Sequence, residues 1–240
     1  MQIQQQNEIL KRQNTELEQF NYIASHDLQE PLLTIIGYSD LLLEEFSNDL
    51  NEEGKLFLDF IHNSANRMRF LISGLLEYNR INKNSDTQWL DLNNTLSDVI
   101  DDLSVNIKES NALVHYDSLP VIECYPIFIR LLFQNLISNA LKFRKENTGA
   151  EVHIQAKELK DSWQFSVKDN GIGIEEKYFN QIFQIFRRLH TSEEYSGFGI
   201  GLAHCKKIVD IHNGKIWIES KVNEGTTFFF TISKKLINDN

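Results

Sequence analysis

The sequence predicts an α+β protein in two parts, a helical hairpin followed by a helix layer packed on one mixed sheet. Three observations carry that reading. The first third of the 240 residues holds one Pro and three Gly, and its apolar residues recur at spacings of four and three. From Trp89 onward, runs of alternating apolar and polar residues trade places with runs of helical spacing. Eight of the eleven glycines lie at or after Gly149, where strands must turn.

In chain order, Leu28, Leu32, Ile35, Ser39, Leu42 and Phe46 form a heptad seam on the first helix. Ala24, Asn21 and Leu17 extend it backwards, with Leu10 and Ile3 one and two heptads further up, and the step Ala24–Leu28–Leu32 is a local stutter. The polar cluster SNDLN, 47–51, ends the helix. A second seam follows at Phe57, Ile61, Ser64, Met68, Leu71, Leu75 and Tyr78. One such hairpin has too little core to stand alone. Pairing two into a four-helix bundle buries both seams, so a homodimer is expected. The polar stretch INKNSDTQ, 81–88, is the linker, and the domains expected are 1–83 and 84–240.

Beyond it, WLDL (89–92) predicts a short strand, 94–107 a helix facing inward through Leu96, Val99, Ile100, Leu103 and Ile107, and ALVHY (112–116) a strand. A strongly apolar helix is predicted at 126–145. EVHIQAKEL and SWQFSVKDN are two strands joined at Lys160–Asp161, helices follow near 175–183 and 199–212, and KIWIES and TTFFFTIS close a hairpin through NEG. Trp89, Trp163 and Trp217 are expected to pack, and Phe228–Phe230 to form an edge of the core. His62, His115, His153, His190, His204 and His212 show no partner pattern and are read as structural or exposed.

Composition narrows the function. An apolar fraction of 41% suits a globular core, and a net charge of −10 argues against a broad nucleic-acid surface. No stretch approaches the roughly 18 apolar residues of a membrane span, and the polar N-terminus is no signal peptide. Cys124 and Cys205 make neither a disulfide framework nor a metal spacing, so a reducing, cytoplasmic compartment is expected.

His26 stands in FNYIASHDLQEPLLTIIGYSDLLL. At ~100° per residue, with the core direction set at Leu28, Ala24 lies ~40° to one side while His26 and Glu30 lie ~160° away on the opposite face. His26 is therefore not a core histidine. It is a solvated surface residue or a reactive one. Asp27 can accept its Nδ1 proton and leave Nε2 as nucleophile. Pro31 weakens the helix one turn downstream, which suits a group that must meet two partners.

The second part offers an electrophile in three pieces. In FQNLISNALKFR, Asn135 and Asn139 share one helix face and Lys142 lies three further on. Amide oxygens can ligate Mg²⁺ and a Lys can sit at phosphates; two surface amides is the alternative. In VKDNGIGI, Asp169 ends a strand and can accept from the exocyclic amine of adenine, while Gly171 and Gly173 let the chain approach a flat ring; DNG is also an ordinary turn. In GFGIGLAHCKKIV, Gly197, Gly199 and Gly201 run into a helix whose N–H groups can face an anion. Residues 184–196 could close as a lid carrying Arg187 and Arg188 toward a terminal phosphate, or those charges could be solvated. Each piece alone is weak; the three in this order are not.

SHDLQEPL, the Asn helix, DNGIGI, IFQIFRRLH and GFGIGL resemble a bacterial sensor histidine kinase, and SHDLQEPL with IFRRLHTSEEY resembles the kinase portion of phytochrome-type and PAS-linked sensors. The resemblance covers about 17–233. It implies a dimerisation and phosphoacceptor hairpin, then a Bergerat-type ATP-binding domain, with γ-phosphate of ATP passing to His26 and on to an Asp of a response regulator receiver domain. It implies His26 as phosphoacceptor with Asp27 as acidic neighbour, Asn139 as the principal Mg²⁺ ligand assisted by Asn135, Asp169 as adenine anchor supported by Thr226, and Arg188 rather than Arg187 at the phosphates. One position departs: many relatives carry Thr or Asn four residues after the His, where this chain has Glu30, so weak phosphatase activity is expected. The sensory domain is expected to lie outside this chain, with Ile3, Leu10 and Leu17 ending a signalling helix. Two other readings compete. Topoisomerase-like and mismatch-repair ATPases share the nucleotide motifs but lack a His on a heptad hairpin, and a silent scaffold that docks regulators would not need the full set of nucleotide residues.

Overall fold

The computed structural model describes residues 2–46, 49–81, 86–146, 148–189, 195 and 198–236. The side chains of several residues before Ile23, Leu10, Leu17 and Asn21 among them, lie outside the description, as does that of Ile3. The chain separates into two compact units, Met1–Arg80 and Ile81–Asn240. Ile81, inside the expected linker, is 1% exposed and belongs to the core of the second unit.

The first unit is an α-hairpin of α1 (Gln2–Glu45) and α2 (Glu52–Arg80). Asn51 caps α2 by accepting from the Gly54 N–H at 2.8 Å. Glu52 and Glu53 then occupy its first turn and Arg80 its last, each at the end of the dipole that favours its charge. Pro31 lies inside α1, which continues through it. The buried stripe between the helices differs from the seam expected. Ser25, Leu32, Ile36 and Ser39 are buried, with Ala65 and Ile72 packing from α2, whereas Leu28, Ile35, Leu42 and Phe46 are exposed, as are Phe57, Ile61 and Met68. A heptad pattern supplies two adjacent stripes, and only one of them faces the partner helix of the same chain.

The second unit opens with β1 (Gln88–Asp91), whose last residue caps α3 (Leu92–Asp102) by accepting from the Asn93 N–H. The expected helix over 94–107 is split: Leu103 leaves helical geometry at φ −88°, ψ 6°, and α4 (Ser104–Glu109) resumes beyond it. Next come β2 (Leu113–Tyr116), β3 (Val121–Cys124), α5 (Pro126–Lys142), β4 (Glu151–Glu158), β5 (Ser162–Asp169), α6 (Gly201–Ile211), β6 (Ile216–Lys221) and β7 (Gly225–Ser233). The expected helix at 175–183 is a single 3₁₀ turn, Glu176–Tyr178. The segment beyond it is held by short-range turns and by the Phe186 N–H on the Gly199 carbonyl.

Two sheets replace the single one expected. β1 and β3 form an antiparallel ribbon, and the main sheet has the order β2-β4-β5-β7-β6, parallel only between β2 and β4. Along β4, Val152 and Ile154 are buried while Glu151, His153 and Gln155 are exposed, so one face of the sheet carries the core. α5 buries eight residues there, from Phe128 to Leu141. Phe133 meets Phe165 and Phe230 edge-on, and those two rings stack 5.0 Å apart. Phe228 and Phe230 thus lie within the core rather than at its edge, on a strand flanked by β5 and β6. Trp217 stacks on Phe229, but Trp89 is 72% exposed on the outer face of the ribbon, against expectation. His212 is buried, donating from Nδ1 to the Ile208 carbonyl and accepting the Tyr125 N–H at Nε2.

Candidate functional site

His26 lies on the outer surface of α1, with 60% of its side chain exposed. Measured from the stripe that is buried, at Ser25 and Leu32, it is displaced by ~100–120° rather than ~160°, enough to clear α2. Its Nδ1 is 3.2 Å from Asp27 Oδ1, itself well exposed. With the ring proton on Nδ1 donated to that carboxylate, Nε2 carries the free lone pair. Pro31 supplies no N–H, so the Asp27 carbonyl loses its partner one turn on. Glu30 is exposed on the same helix.

The remaining predicted residues belong to the second unit. Asp169 ends β5, half-buried. Its Oδ1 accepts the Gly171 N–H at 2.8 Å and the Thr226 N–H at 3.1 Å, an arrangement that fixes the carboxylate and leaves Oδ2 for a ligand. Burial pushes this carboxyl above the ordinary range, while the two N–H donors and the Lys145 charge pull it down. Thr226 supports Asp169 through its backbone; its hydroxyl is 2.8 Å from Ser220 Oγ.

The glycine turn after Asp169 is tight for a reason the sequence reading did not contain. A Cβ on Gly171 would lie 2.5 Å from the Phe143 carbonyl, and one on Gly173, at φ +72°, would lie 2.1 Å from the Lys221 carbonyl. Both glycines are needed for protein–protein backbone approach, apart from any ring they also face.

Asn135 and Asn139 sit on α5. Asn135 donates from Nδ2 to the Leu131 carbonyl, which turns its amide oxygen outward to the start of α6; a Cβ on Gly201 would lie 2.7 Å from it. The glycine therefore lets the helix N-terminus approach the amide oxygen. An oxygen donor held in this way, beside neutral Asn139, fits a hard divalent cation that keeps most of its waters. Gly199, at φ +73°, turns the chain into α6; Gly197, like His190, lies outside the described residues.

Lys142, at the end of α5, is partly buried with Nζ 4.4 Å over the Phe143 ring. Burial, and then the neighbouring Arg188 charge, lower its affinity for a proton. Arg188 donates to the Tyr195 carbonyl at 2.9 Å, and the Tyr195 ring lies 4.9 Å from that of Phe143. Arg187 is exposed and bonded to Gln181. The two arginines are thereby separated, one held beside Lys142 and one facing away. A cavity of about 1000 Å³ opens here, lined by Lys142, Lys145, Ile172, Gly173, Tyr178 and Tyr195 among others. Asp169 and the two asparagines are not part of its lining. Lys145 and Ser220 escaped the sequence reading. Lys145 could have been found from KFRK, where it follows Lys142 by one turn; Ser220 depends on strand register and left no local signal.

Residues 16–84 match the His Kinase A (phospho-acceptor) domain, and 124–236 match the histidine kinase-, DNA gyrase B- and HSP90-like ATPase. Cyanobacterial phytochrome A of Nostoc sp. strain PCC 7120 is 42% identical over 224 residues, 93% of this chain and 29% of that protein. The chain thus spans less than a third of the phytochrome it matches. The crystal structure of full-length ShkA in complex with AMPPNP has a TM-score of 0.68 at 21% identity, covering 91% of this chain and 47% of that one. The histidine kinase ThkA in complex with the response regulator protein TrrA has a TM-score of 0.60 at 23% identity, covering 94% and 64%. Both likenesses speak to fold. A phospho-acceptor hairpin with its exposed His26, joined to an ATPase domain in which a fixed carboxylate and a glycine turn lie together, places this chain among the sensor histidine kinases.

Proposed function

We propose that the chain phosphorylates itself on His26 at the expense of ATP and passes the phosphoryl group to an Asp in the receiver domain of a response regulator. The observation that carries this is the His26–Asp27 pair, an exposed imidazole whose Nδ1 is engaged and whose Nε2 is free. Nε2 attacks the γ-phosphorus, the bond to the β,γ-bridging oxygen breaks, and ADP leaves with that electron pair. Asp27 holds the Nδ1 proton and offsets the positive charge that grows on the ring.

The second unit binds the donor. Asp169 Oδ2 accepts from the exocyclic amine of adenine, while Oδ1 stays locked to the backbone. Lys142 and Arg188 meet the phosphates, and the N-terminus of α6, after Gly197, Gly199 and Gly201, adds backbone N–H groups. Asn139 and Asn135 would hold Mg²⁺ through their amide oxygens, and the ion would supply charge neutralisation on the phosphates. Positioning and charge stabilisation supply most of the catalysis in such a transfer. The apolar stripe left open on the hairpin supports a homodimer. No helix among the described residues is long and apolar enough to cross a membrane. Separately, a reaction that uses ATP and a receiver domain fits the cytoplasm, where both are found. A response regulator partner is in keeping with the ThkA complex.

Incubation with γ-labelled ATP and Mg²⁺ tests the reading. Acid-labile, alkali-stable label should appear in the wild type and vanish in His26→Gln. Label that persists in that variant overturns the assignment of His26, and absence of label from a folded, ATP-binding wild type favours a silent scaffold.

A further inference from the structure

The stretch of α1 that follows His26 is weakly built. Pro31 withholds an N–H from the Asp27 carbonyl. The Thr34 hydroxyl donates to the Glu30 carbonyl at 3.2 Å and the Ser39 hydroxyl to the Ile35 carbonyl at 2.8 Å, back-bonds that loosen and bend a helix. Gly37 stands between them. A Cβ there would meet nothing within 4 Å, so no close packing calls for a glycine, one of the poorest helix formers. Between Pro31 and Ser39, α1 is therefore a poor rod, and its stiffness does not by itself place His26.

Two polar contacts with α2 bracket this stretch. On the His26 side, Gln29 donates from Nε2 to Ser73 Oγ at 3.2 Å. At the other end, Asp40 Oδ1 lies 3.0 Å from His62 Nδ1, with Asn66 Nδ2 2.7 Å from the second ring nitrogen. At ~100° per residue from Leu32, Gln29 stands at ~60° and Asp40 at ~80°, on the flank where His26 stands at ~120°. Gln29 lies one turn after His26 and just before Pro31, so it ties down the turn that carries the imidazole where the weak stretch begins. The apolar packing of Leu32, Ile36 and Ala65 is non-directional and allows α1 to rotate and slide. A hydrogen bond from a planar amide restricts both.

We propose that Gln29 is a positioning residue for phosphoryl transfer: its bond to Ser73 sets the rotation of the His26 turn on α2, and so the direction in which Nε2 meets its donor. The chemistry of the ring itself stays with Asp27. This inference rests on the autophosphorylation proposed above. A group that acts by placement alone matters when the donor is held in a site, and does not when the donor diffuses freely.

The test therefore compares two donors on the full chain: ATP with Mg²⁺, and phosphoramidate, a small donor that phosphorylates histidine without a binding site. Label on His26 is read by mass spectrometry. In Gln29→Ala, labelling from ATP should slow by about tenfold, the cost of a small misplacement, while nucleotide affinity and the phosphoramidate rate stay unchanged. Ser73→Ala should reproduce the loss, Ser73→Thr should keep the wild-type rate, and the double variant Gln29→Ala/Ser73→Ala should be no slower than either single one. Should Gln29→Ala fail to fold, Ser73→Ala carries the same comparison. An unchanged ATP rate, an equal loss with both donors, or additive losses in the double variant would overturn the proposal while sparing the autophosphorylation reading. A wild type labelled on His26 by phosphoramidate but not by ATP overturns both.

Discussion

Asp27 lies against the Nδ1 side of His26, and the role proposed for it in the reaction rests on that one contact. Asp27→Asn should slow autophosphorylation by roughly a hundredfold, within the usual range for general base assistance, and leave nucleotide affinity unchanged; single-turnover labelling beside a binding titration separates the two. At Asp169 the raised pKa gives a pH signature. A carboxyl whose folded pKa is raised starts to protonate above the ordinary carboxylate range as pH falls. ATP affinity should therefore weaken on acidification before ordinary surface carboxylates titrate. Asp169→Asn should bind weakly and without that dependence, in titrations from neutral pH downward. The sign for stability is opposite: the ionised buried carboxylate opposes folding, so the same variant should be no less stable than the wild type at neutral pH. His26, Asp27 and Asp169 were all legible as residue types at informative positions. What was not legible is what touches them. Thr226 contributes through its N–H more than through its side chain, and Gly171 and Gly173 are dictated by carbonyls of Phe143 and Lys221 that arrive from elsewhere in the chain.

Among the elements, α5 and α6 frame the nucleotide side, and a buried histidine joins their outer ends. His212 follows the last turn of α6 and accepts the N–H of Tyr125, the residue before α5. Burial depresses its pKa from 6.5 to about 4. The unfolded chain takes up this proton near 6.5 and the folded chain only near 4, so stability is fully present above the unfolded value and is lost as pH falls between the two. The loss amounts to about 3 kcal/mol across that window. Urea unfolding of the second unit between pH 7 and 4 should show it, and His212→Gln should flatten the profile while lowering stability at neutral pH. Long periodic elements were readable from sequence for this reason: α1, α2 and α5 carry many repeats of their period. β3, VIEC between Pro120 and Pro126, was not read as a strand, and the ribbon it makes with β1 was missed with it. The expected helix at 175–183 is one 3₁₀ turn followed by local bonds of the Gln181 and Ile182 N–H groups to the Tyr178 carbonyl, which do not propagate into a helix.

For the molecule as a whole, the hairpin is the unfinished part. Leu28, Ile35 and Leu42 recur every seven residues and stay exposed, while the adjacent stripe of Leu32, Ile36 and Ser39 is used within the chain. The heptad pattern announced a bundle but could not say which stripe would serve which interface, because both have the same period. A second hairpin is the cover we propose for the exposed stripe. Ile35→Glu should convert the chain to a monomer in light scattering at micromolar concentration and leave the hairpin helical by circular dichroism; a dimer that survives it would contradict the assignment of that stripe. The central claim, a histidine made nucleophilic at one named nitrogen, is tested most directly by NMR of the phosphorylated chain, which distinguishes the two isomers of phosphohistidine. The account predicts one phosphohistidine, at Nε2 of His26. Phosphate on Nδ1, or on any other residue, would contradict it.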